Sequence, residues 1–336
     1  MMALKRLGVA FSWREGSLEN ILTCARCAEE AGVESVWIPE AWGRDAFLAL
    51  AGFAEVTNRV KVGTGIVNVY SRSPATIAMG AATLDELSKG RAILGLGSSG
   101  PVVVERWHGI RYERPLTRVR ETVAIVRLAL SGATTDFQGS SFHVTGFKLA
   151  MGRPKRAVPI FVAALGPKML RLTGQIADGV ILYLCSPAAI PSAIKEIRKG
   201  TTEAGRSFEH FEVAALLPTV VSENRVEARG TVARAIAYYV GGMGTYYRRA
   251  ISRSGFASEA RKINEAWNRG DRPSATKAVT EQLIDSVAVA GSIDECRRRL
   301  EDFRNSGVTL PILSLSTQDG RTTVESCKTI KTLIEA

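Results

Sequence analysis

Two glutamates, Glu40 and Glu105, are the side chains best suited to proton transfer in this sequence. Each follows an apolar run typical of a β-strand: Glu40 comes after ESVWIP, and Glu105 lies in VVVERW, shortly after RAILGL. A carboxylate at the C-terminal end of a strand can donate or accept a proton beside a reacting centre. A surface salt bridge is the alternative for either one alone. We predict both as catalytic residues.

A glycine-rich turn, LGLGSSGP, follows the same apolar run and contains Gly97, Ser98 and Ser99. Glycines allow close backbone approach and unusual φ angles, so the turn suits contact with a planar ring or an anion. A flexible turn is an equal alternative on spacing alone. The turn is not a dinucleotide fingerprint, because Pro101 follows the glycines and no acidic residue follows at the expected distance.

The segment Ala164-Leu165-Gly166-Pro167-Lys168 has the composition of a helix start. Gly166 suits the cap and Pro167 suits the first turn. The N-terminus of a helix presents unpaired N–H groups that bind phosphate, and Lys168 adds a full positive charge. An ordinary helix start is the alternative. A glycine inside another apolar run, Gly65 in VKVGTGIVN, indicates a β-bulge.

Other residue types of chemical interest have simpler interpretations. Cys24 and Cys27 form a CxxC inside a helical pattern with no second pair, so we predict no metal site. His108 is a further candidate for proton transfer, although a lone histidine is more often structural. Core packing is the expected role of four aromatic side chains, which could instead wall a ring-shaped substrate: Phe11, Trp13, Trp42 and Trp107.

Short apolar runs alternate with amphipathic stretches along the chain, and this alternation predicts the strands and helices that must position these residues. Eight runs are predicted strands: 6–11, 34–38, 60–67, 91–96, 159–163, 179–184, 211–219 and 308–314. Helices are predicted at 17–32, 45–57, 75–89, 116–131, 167–177, 187–204 and 292–306. Eight strands alternating with helices predict an α/β fold, a (β/α)8 TIM barrel, with a site at the C-terminal ends of its strands.

Two stretches interrupt this alternation. Residues 132–158 contain a predicted hairpin, and residues 222–290 are long, helical and rich in Arg, Gly and Tyr. Both are expected to be insertions into one domain that spans 1–336.

Composition excludes several classes of protein. The chain has 336 residues, of which 46% are hydrophobic, and no apolar run has the ~20 residues of a membrane helix. The formal charge of +11 is dispersed, which favours a solvated surface or a polyanionic small ligand over nucleic acid. Without a secretory signal pattern, we expect a cytoplasmic protein.

Four motifs together resemble the luciferase-like flavin and deazaflavin oxidoreductases: WIPEAWGRD, GTGIVNVYSRSP, GLGSSGPVVVERWHG and ALGPKML. The resemblance runs over nearly the whole chain and is closer to the branch that uses the deazaflavin coenzyme F420. It implies a luciferase-like barrel with long insertions, a cofactor at the C-terminal ends of the strands, and a homodimer.

The resemblance also implies roles for single residues. Gly97, Ser98 and Ser99 would contact the cofactor, and the segment 164–168 would hold its phosphate. Gly65 and Ile66 would form a bulge with a non-prolyl cis peptide that backs the deazaflavin ring. Relatives in the F420 branch often carry Asp-His where this chain has Glu40-Ala41, which removes the histidine from that position.

The predicted function is an F420-dependent oxidoreductase that transfers hydride between C5 of the deazaflavin and a small organic acceptor such as a methylene-tetrahydropterin. One alternative is an FMN-dependent monooxygenase of the same fold. The other, from a different class, is a non-catalytic barrel that binds F420 or another polyanion.

Overall fold

Eight parallel strands form a closed barrel in the computed structural model, which describes residues 6–11, 17–315, 329 and 331–333. Their bounds are β1 Gly8–Ala10, β2 Ser35–Pro39, β3 Lys61–Asn68, β4 Ala92–Gly97, β7 Ile160–Ala163, β8 Gly179–Tyr183, β9 Glu212–Val221 and β11 Leu310–Leu315. Strands β5 and β6 belong to a separate hairpin. The predicted β/α barrel is confirmed, with every predicted apolar run occupied by a barrel strand.

The barrel closes because its first and last strands pair with each other. Around the circumference the order is β1, β2, β3, β4, β7, β8, β9 and β11, and β11 pairs in parallel with β1. A short strand, β10 Val289–Gly291, pairs with the end of β9 and was not predicted. Because all the strands are parallel, their carboxyl ends meet at one mouth of the barrel.

Helices cover the outside of the barrel and agree with the predicted ones to within a few residues. They are α1 Leu18–Glu30, α2 Ala46–Val56, α3 Pro74–Leu87, α4 Pro115–Leu130, α5 Pro167–Ile176, α6 Ile190–Glu203 and α12 Ile293–Asn305. Ser17, Asp45 and Ser73 cap α1, α2 and α3 with side-chain oxygens, which satisfies backbone donors that the helix leaves unpaired.

The two predicted insertions differ in structure. The first contains the hairpin of β5 Thr135–Gln138 and β6 His143–Phe147. The second, between β9 and β10, contains α7 Arg225–Gly242, α8 Thr245–Ile251, α9 Ala257–Asn268, α10 Arg272–Lys277 and α11 Glu281–Val287. This helical block follows the seventh barrel strand, so its helices begin on the mouth side of the barrel.

Apolar side chains fill the barrel interior. The largest is Trp37, which is fully buried beside Phe161 with ring centroids 5.9 Å apart. Gly63 leaves it room, since a Cβ there would lie 2.4 Å from Cε3 of the Trp37 ring. The interior is therefore a packed core, and chemistry is confined to the mouth.

The described residues contain neither a candidate metal site nor a membrane-spanning helix. Cys24 and Cys27 lie in the middle of α1, and no group of three His, Cys, Asp or Glu side chains in the described residues could hold a metal ion. Across the same residues, no helix is both long enough and apolar enough to cross a bilayer.

Candidate active site

A β-bulge at Gly65 shapes the mouth of the barrel. Ile38 pairs with Thr64 and Pro39 pairs with Ile66, so Gly65 is an extra residue in β3. A Cβ at Gly65 would lie 2.8 Å from the Pro39 backbone, which explains the glycine. The predicted bulge is confirmed. The predicted cis peptide between Gly65 and Ile66 is wrong for this structure, which has no cis peptide among its described residues; the extra residue produces the bulge by itself.

Thr64 makes side-chain hydrogen bonds to β4 where the bulge interrupts the backbone pairing of β3 with β4. Its buried hydroxyl donates to the carbonyl oxygen of Gly95 at 2.8 Å and accepts from the Gly95 N–H at 2.6 Å. The two strands approach so closely here that a Cβ at Gly95 would lie 2.1 Å from the Thr64 carbonyl oxygen. Thr64 and Gly95 therefore fix the position of the residues that follow them.

Ile66 lies over Gly97 at the end of the neighbouring strand. A Cβ at Gly97 would lie 2.8 Å from Cδ1 of Ile66 and 3.3 Å from Cβ of Ala163. Ile66 and Ala163 are partly buried and pack on top of the barrel interior. Together the three residues form an apolar platform, which we define as Ile66, Gly97 and Ala163.

The turn after β4 borders this platform and is fastened by Tyr112. The Tyr112 hydroxyl donates to Ser98 Oγ at 3.0 Å and lies 3.3 Å from the carbonyl oxygen of Ser99. Ser99 has a φ of 54°, in the left-handed region that few residues other than glycine adopt. Sequence reasoning did not find Tyr112, because nothing in its local pattern indicates which strand end it contacts.

The predicted phosphate-binding segment forms the start of α5, as expected. Gly166 is the N-cap, Pro167 is the first helical residue, and no side chain caps the helix. A Cβ at Gly166 would meet no atom within 4 Å, so the space beside it is open. Lys168 is exposed, and its side chain makes no ion pair or hydrogen bond within the described chain. These features leave backbone donors and one positive charge for an anion.

The helical insertion contacts both of these turns. Arg253, in the π-helical turn Ser252–Phe256, donates to the carbonyl oxygen of Leu165 at 2.7 Å. The start of α8 lies over the turn after β4, since a Cβ at Gly100 would lie 3.6 Å from the carbonyl oxygen of Met243 and 3.8 Å from Tyr246. The insertion therefore forms one side of the mouth.

Glu40 lines a cleft of about 470 Å³ beside the platform, together with its ion-pair partner Arg72. Arg72 donates to both carboxylate oxygens, at 3.1 and 2.9 Å, and the Ala46 N–H donates to the second at 3.0 Å. Arg72 also contacts Asp45. Burial opposes ionisation of Asp45, but the Leu48 N–H and the Arg72 guanidinium outweigh it and lower the pKa of this carboxyl. The sequence analysis predicted no role for Arg72, although Arg72 lies in the motif GTGIVNVYSRSP.

Glu105 is not brought into this cleft. It lies in the π-helical turn Val102–Trp107, is exposed, and accepts a hydrogen bond from the Tyr112 N–H at 3.2 Å. His108, in contrast, lines the cleft with Glu40. The two carboxylates therefore occupy different parts of the mouth in this structure.

Of the four aromatic candidates, two side chains contact each other and one belongs to the core. Trp42 and Trp107 have ring centroids 4.9 Å apart, and Trp42 also contacts Tyr238 of the insertion at 5.6 Å. Phe11 is buried against Phe53, which is the expected core packing and excludes it from the wall. Trp13 lies outside the described residues.

Comparisons with known proteins agree with this geometry. The model of the luciferase-like monooxygenase family matches residues 2–310. A Mycobacterium tuberculosis protein, whose name assigns it to the coenzyme F420-dependent oxidoreductases, is 32% identical over 339 residues, covering 94% of this chain and 96% of its own length. The 5,10-methylenetetrahydromethanopterin reductase of Archaeoglobus fulgidus is 32% identical over 287 residues, which cover 84% of this chain and 86% of that protein.

A solved structure extends the similarity to three dimensions. The coenzyme F420-dependent tetrahydromethanopterin reductase of Methanopyrus kandleri matches with a TM-score of 0.85 and 26% identity, covering 98% of this chain and 97% of that one. The match includes the barrel and both insertions, because nearly all of each chain is covered. The protein therefore belongs to the luciferase-like monooxygenase family, in its branch of F420-dependent oxidoreductases.

Proposed function

We propose that the protein binds coenzyme F420 at the mouth of its barrel and transfers hydride between C5 of the deazaflavin and a small organic acceptor. The observation that carries this proposal is the apolar platform of Ile66, Gly97 and Ala163, since a flat ring requires a flat, apolar floor. A side chain at position 97 would have to displace Ile66 from the platform, because its Cβ would lie 2.8 Å from Cδ1 of Ile66. The residues present therefore fit a planar ring.

The opposite end of the cofactor would lie at the start of α5. The N–H groups of the first turn, the open space beside Gly166 and the Lys168 ammonium suit a phosphate. In this arrangement Leu165 would border the path between the platform and the phosphate, whereas Ala164 is buried in the core behind it. Arg253 orders this path from the insertion by its hydrogen bond to Leu165.

When bound, the cofactor would supply the hydride chemistry itself. The residues of this chain would bind and orient the ring, with Ile66 backing one face and Ser98 and Ser99 bordering it. Glu40 accepts hydrogen bonds from Arg72 and from the Ala46 N–H, so its oxygens are held as acceptors. Glu105, which is exposed and has one backbone donor, is free to exchange a proton with an acceptor.

The acceptor would enter between the cleft and the tryptophan pair. Trp42 and Trp107, whose ring planes meet at 77°, provide a half-exposed aromatic wall beside Glu40 and His108. A ring-containing acceptor matches this wall. A methylene-tetrahydropterin is the first compound to test, because the Archaeoglobus and Methanopyrus relatives are named for reductases of that class.

Titration of the purified protein with F420 and with FMN, followed by ligand fluorescence, tests this proposal. We expect saturable binding of F420 and much weaker binding of FMN. Methylenetetrahydromethanopterin is then added to the protein with reduced F420, and oxidation of the coenzyme is followed by absorbance. Tight FMN binding without F420 binding would favour the monooxygenase instead, and F420 binding without turnover of any acceptor would favour a binding protein.

A further inference from the structure

Tyr112 connects three parts of the mouth that the chain sequence separates. Its hydroxyl bonds to Ser98 and lies against the Ser99 carbonyl oxygen, and its backbone N–H donates to Glu105. Its ring stacks on Tyr70, with centroids 5.1 Å apart and planes inclined by 25°. Burial raises the pKa of the Tyr112 phenol above its ordinary value, so the hydroxyl remains a donor at neutral pH.

The Tyr112 ring is itself held from both sides. Tyr70 follows β3, where its N–H donates to Asn68 Oδ1 at 2.8 Å and its hydroxyl donates to the Glu113 carbonyl oxygen at 2.8 Å. On the other side Tyr112 lies 6.1 Å from the ring of Tyr246 in the helical insertion. The position of the Tyr112 hydroxyl is therefore set by β3 and by the insertion, not by its own loop alone.

The peptide group beside the Tyr112 hydroxyl belongs to Ser99, whose backbone is strained. Ser99 has a φ of 54°, a conformation in which its Cβ crowds the following carbonyl group. Ser98 Oγ also donates to the Ser99 carbonyl oxygen, at 3.3 Å. The two hydroxyls thus form a chain of hydrogen bonds that ends on the Ser99 carbonyl oxygen, and the left-handed turn persists because this chain stabilises it.

We propose that Tyr112 is a positioning residue for the cofactor, which acts by holding Ser99 in its left-handed conformation at the edge of the platform. This inference rests on the proposed function, in which Ser98 and Ser99 contact the ring. Without the Tyr112 hydroxyl, the turn after β4 would relax toward an ordinary conformation. Ser98 and Ser99 would then no longer face the ring that Ile66 supports.

The inference predicts that glycine at position 99 removes the need for Tyr112. Glycine adopts positive φ without a steric penalty, so the turn would keep its shape without the hydroxyl. Four proteins are compared by F420 titration: wild type, Y112F, S99G and the double variant. We expect Y112F to raise the Kd about fivefold, the size expected for one lost hydrogen bond, and to have less than about a twofold effect when S99G is present.

Thr57→Val (T57V) is the matched control, because it removes a buried hydroxyl that donates to a backbone carbonyl oxygen, that of Phe53, at the end of the barrel opposite the mouth. We expect it to leave the Kd unchanged. Equal effects of Y112F and T57V would overturn the proposal, and so would an undiminished effect of Y112F in the S99G background, which would indicate direct contact.

A crystal structure of unliganded Y112F provides the second measurement and needs no cofactor. We expect residue 99 to leave the left-handed region in Y112F and to remain there in wild type. An unchanged φ in Y112F would overturn the proposal even if F420 binds. If the wild-type protein binds no F420, the proposed function fails, while this φ still decides whether Tyr112 holds the turn.

Discussion

Arg72 and Glu40 form an ion pair with two parallel hydrogen bonds between the loops that follow β3 and β2. Their side chains are only 20% and 16% exposed, so water screens the pair less than it would on the surface. Arg72 also neutralises Asp45, which caps α2. One guanidinium therefore fixes the loop that carries Glu40 and the start of the helix that follows.

We expect Arg72→Met to lower the free energy of unfolding by about 1–2 kcal/mol, between the values for exposed and buried pairs. The physical reason is that two carboxylates would face each other without a cation. Urea unfolding of R72M, E40Q and the double variant measures the coupling, which we expect to be about 1 kcal/mol. Arg111→Met is the control, because Arg111 is 91% exposed. Additive effects would show that the pair does not act as a unit.

Glu105→Gln should lower turnover more than it lowers cofactor affinity. The amide keeps the acceptor for the Tyr112 N–H but cannot exchange a proton, so we expect turnover to fall about tenfold or more. Rates and F420 dissociation constants are measured on the same preparation, with Glu113→Gln as an exposed control. Full turnover in both E105Q and E40Q would remove the catalytic assignment of the two glutamates.

Gly97→Ala should weaken F420 binding about tenfold, because its methyl group would displace Ile66 from the platform. Adding Ile66→Val removes Cδ1, the atom 2.8 Å from the new methyl group, and should restore part of the affinity. Gly95→Ala should instead destabilise the protein by about 3 kcal/mol, because its neighbour is backbone and cannot move aside. Fluorescence titration and thermal unfolding separate the two effects. An unchanged affinity in G97A would place the ring elsewhere.

Lys168→Glu should weaken F420 binding at least about tenfold, because it replaces attraction by repulsion in a partly desolvated site. The affinity of the wild type should fall as ionic strength rises, and that of K168E should depend on salt less or in the opposite sense. Lys148→Glu, an exposed lysine beside the hairpin, is the control. Equal affinities of K168E and K148E would indicate that the phosphate binds elsewhere.

Glu29 should make stability depend on pH. Its carboxylate accepts from the backbone N–H groups of Asn58, Arg59 and Val60. Burial opposes ionisation, but these donors outweigh it and lower the pKa of Glu29 below its ordinary value of 4.5. A lowered pKa in the folded state contributes stability above pH 4.5, and that contribution is lost as the pH falls through the folded value.

We therefore expect Glu29→Gln to reduce the free energy of unfolding by about 1–2 kcal/mol at pH 7, the range for hydrogen bonds to a charged group. The difference from wild type should shrink as the pH is lowered below 4.5. Urea unfolding across this range measures it, with the exposed neighbour Glu30→Gln as control. A difference that does not change with pH would contradict the assignment.

The order of strands and helices follows from the sequence, because each apolar run is long enough to identify one buried strand between two amphipathic helices. Gly65 and Gly166 are also predictable, since a glycine inside a strand and a Gly-Pro pair before a helix each have a local physical reason. Strand β10 was missed, because its three residues lie between helices and carry no periodicity.

The composition of the mouth depends on contacts between distant segments, which no local pattern records. Arg253 reaches Leu165 across 88 residues, and Tyr112 reaches Ser98 across 14. Closure of the barrel brings these groups together, and it also decides that Phe11 packs in the core while Trp42 lies in the mouth. Residue types and local spacing thus determined the barrel and its candidate residues, whereas only the tertiary structure decided which of them meet and which side chains hold them.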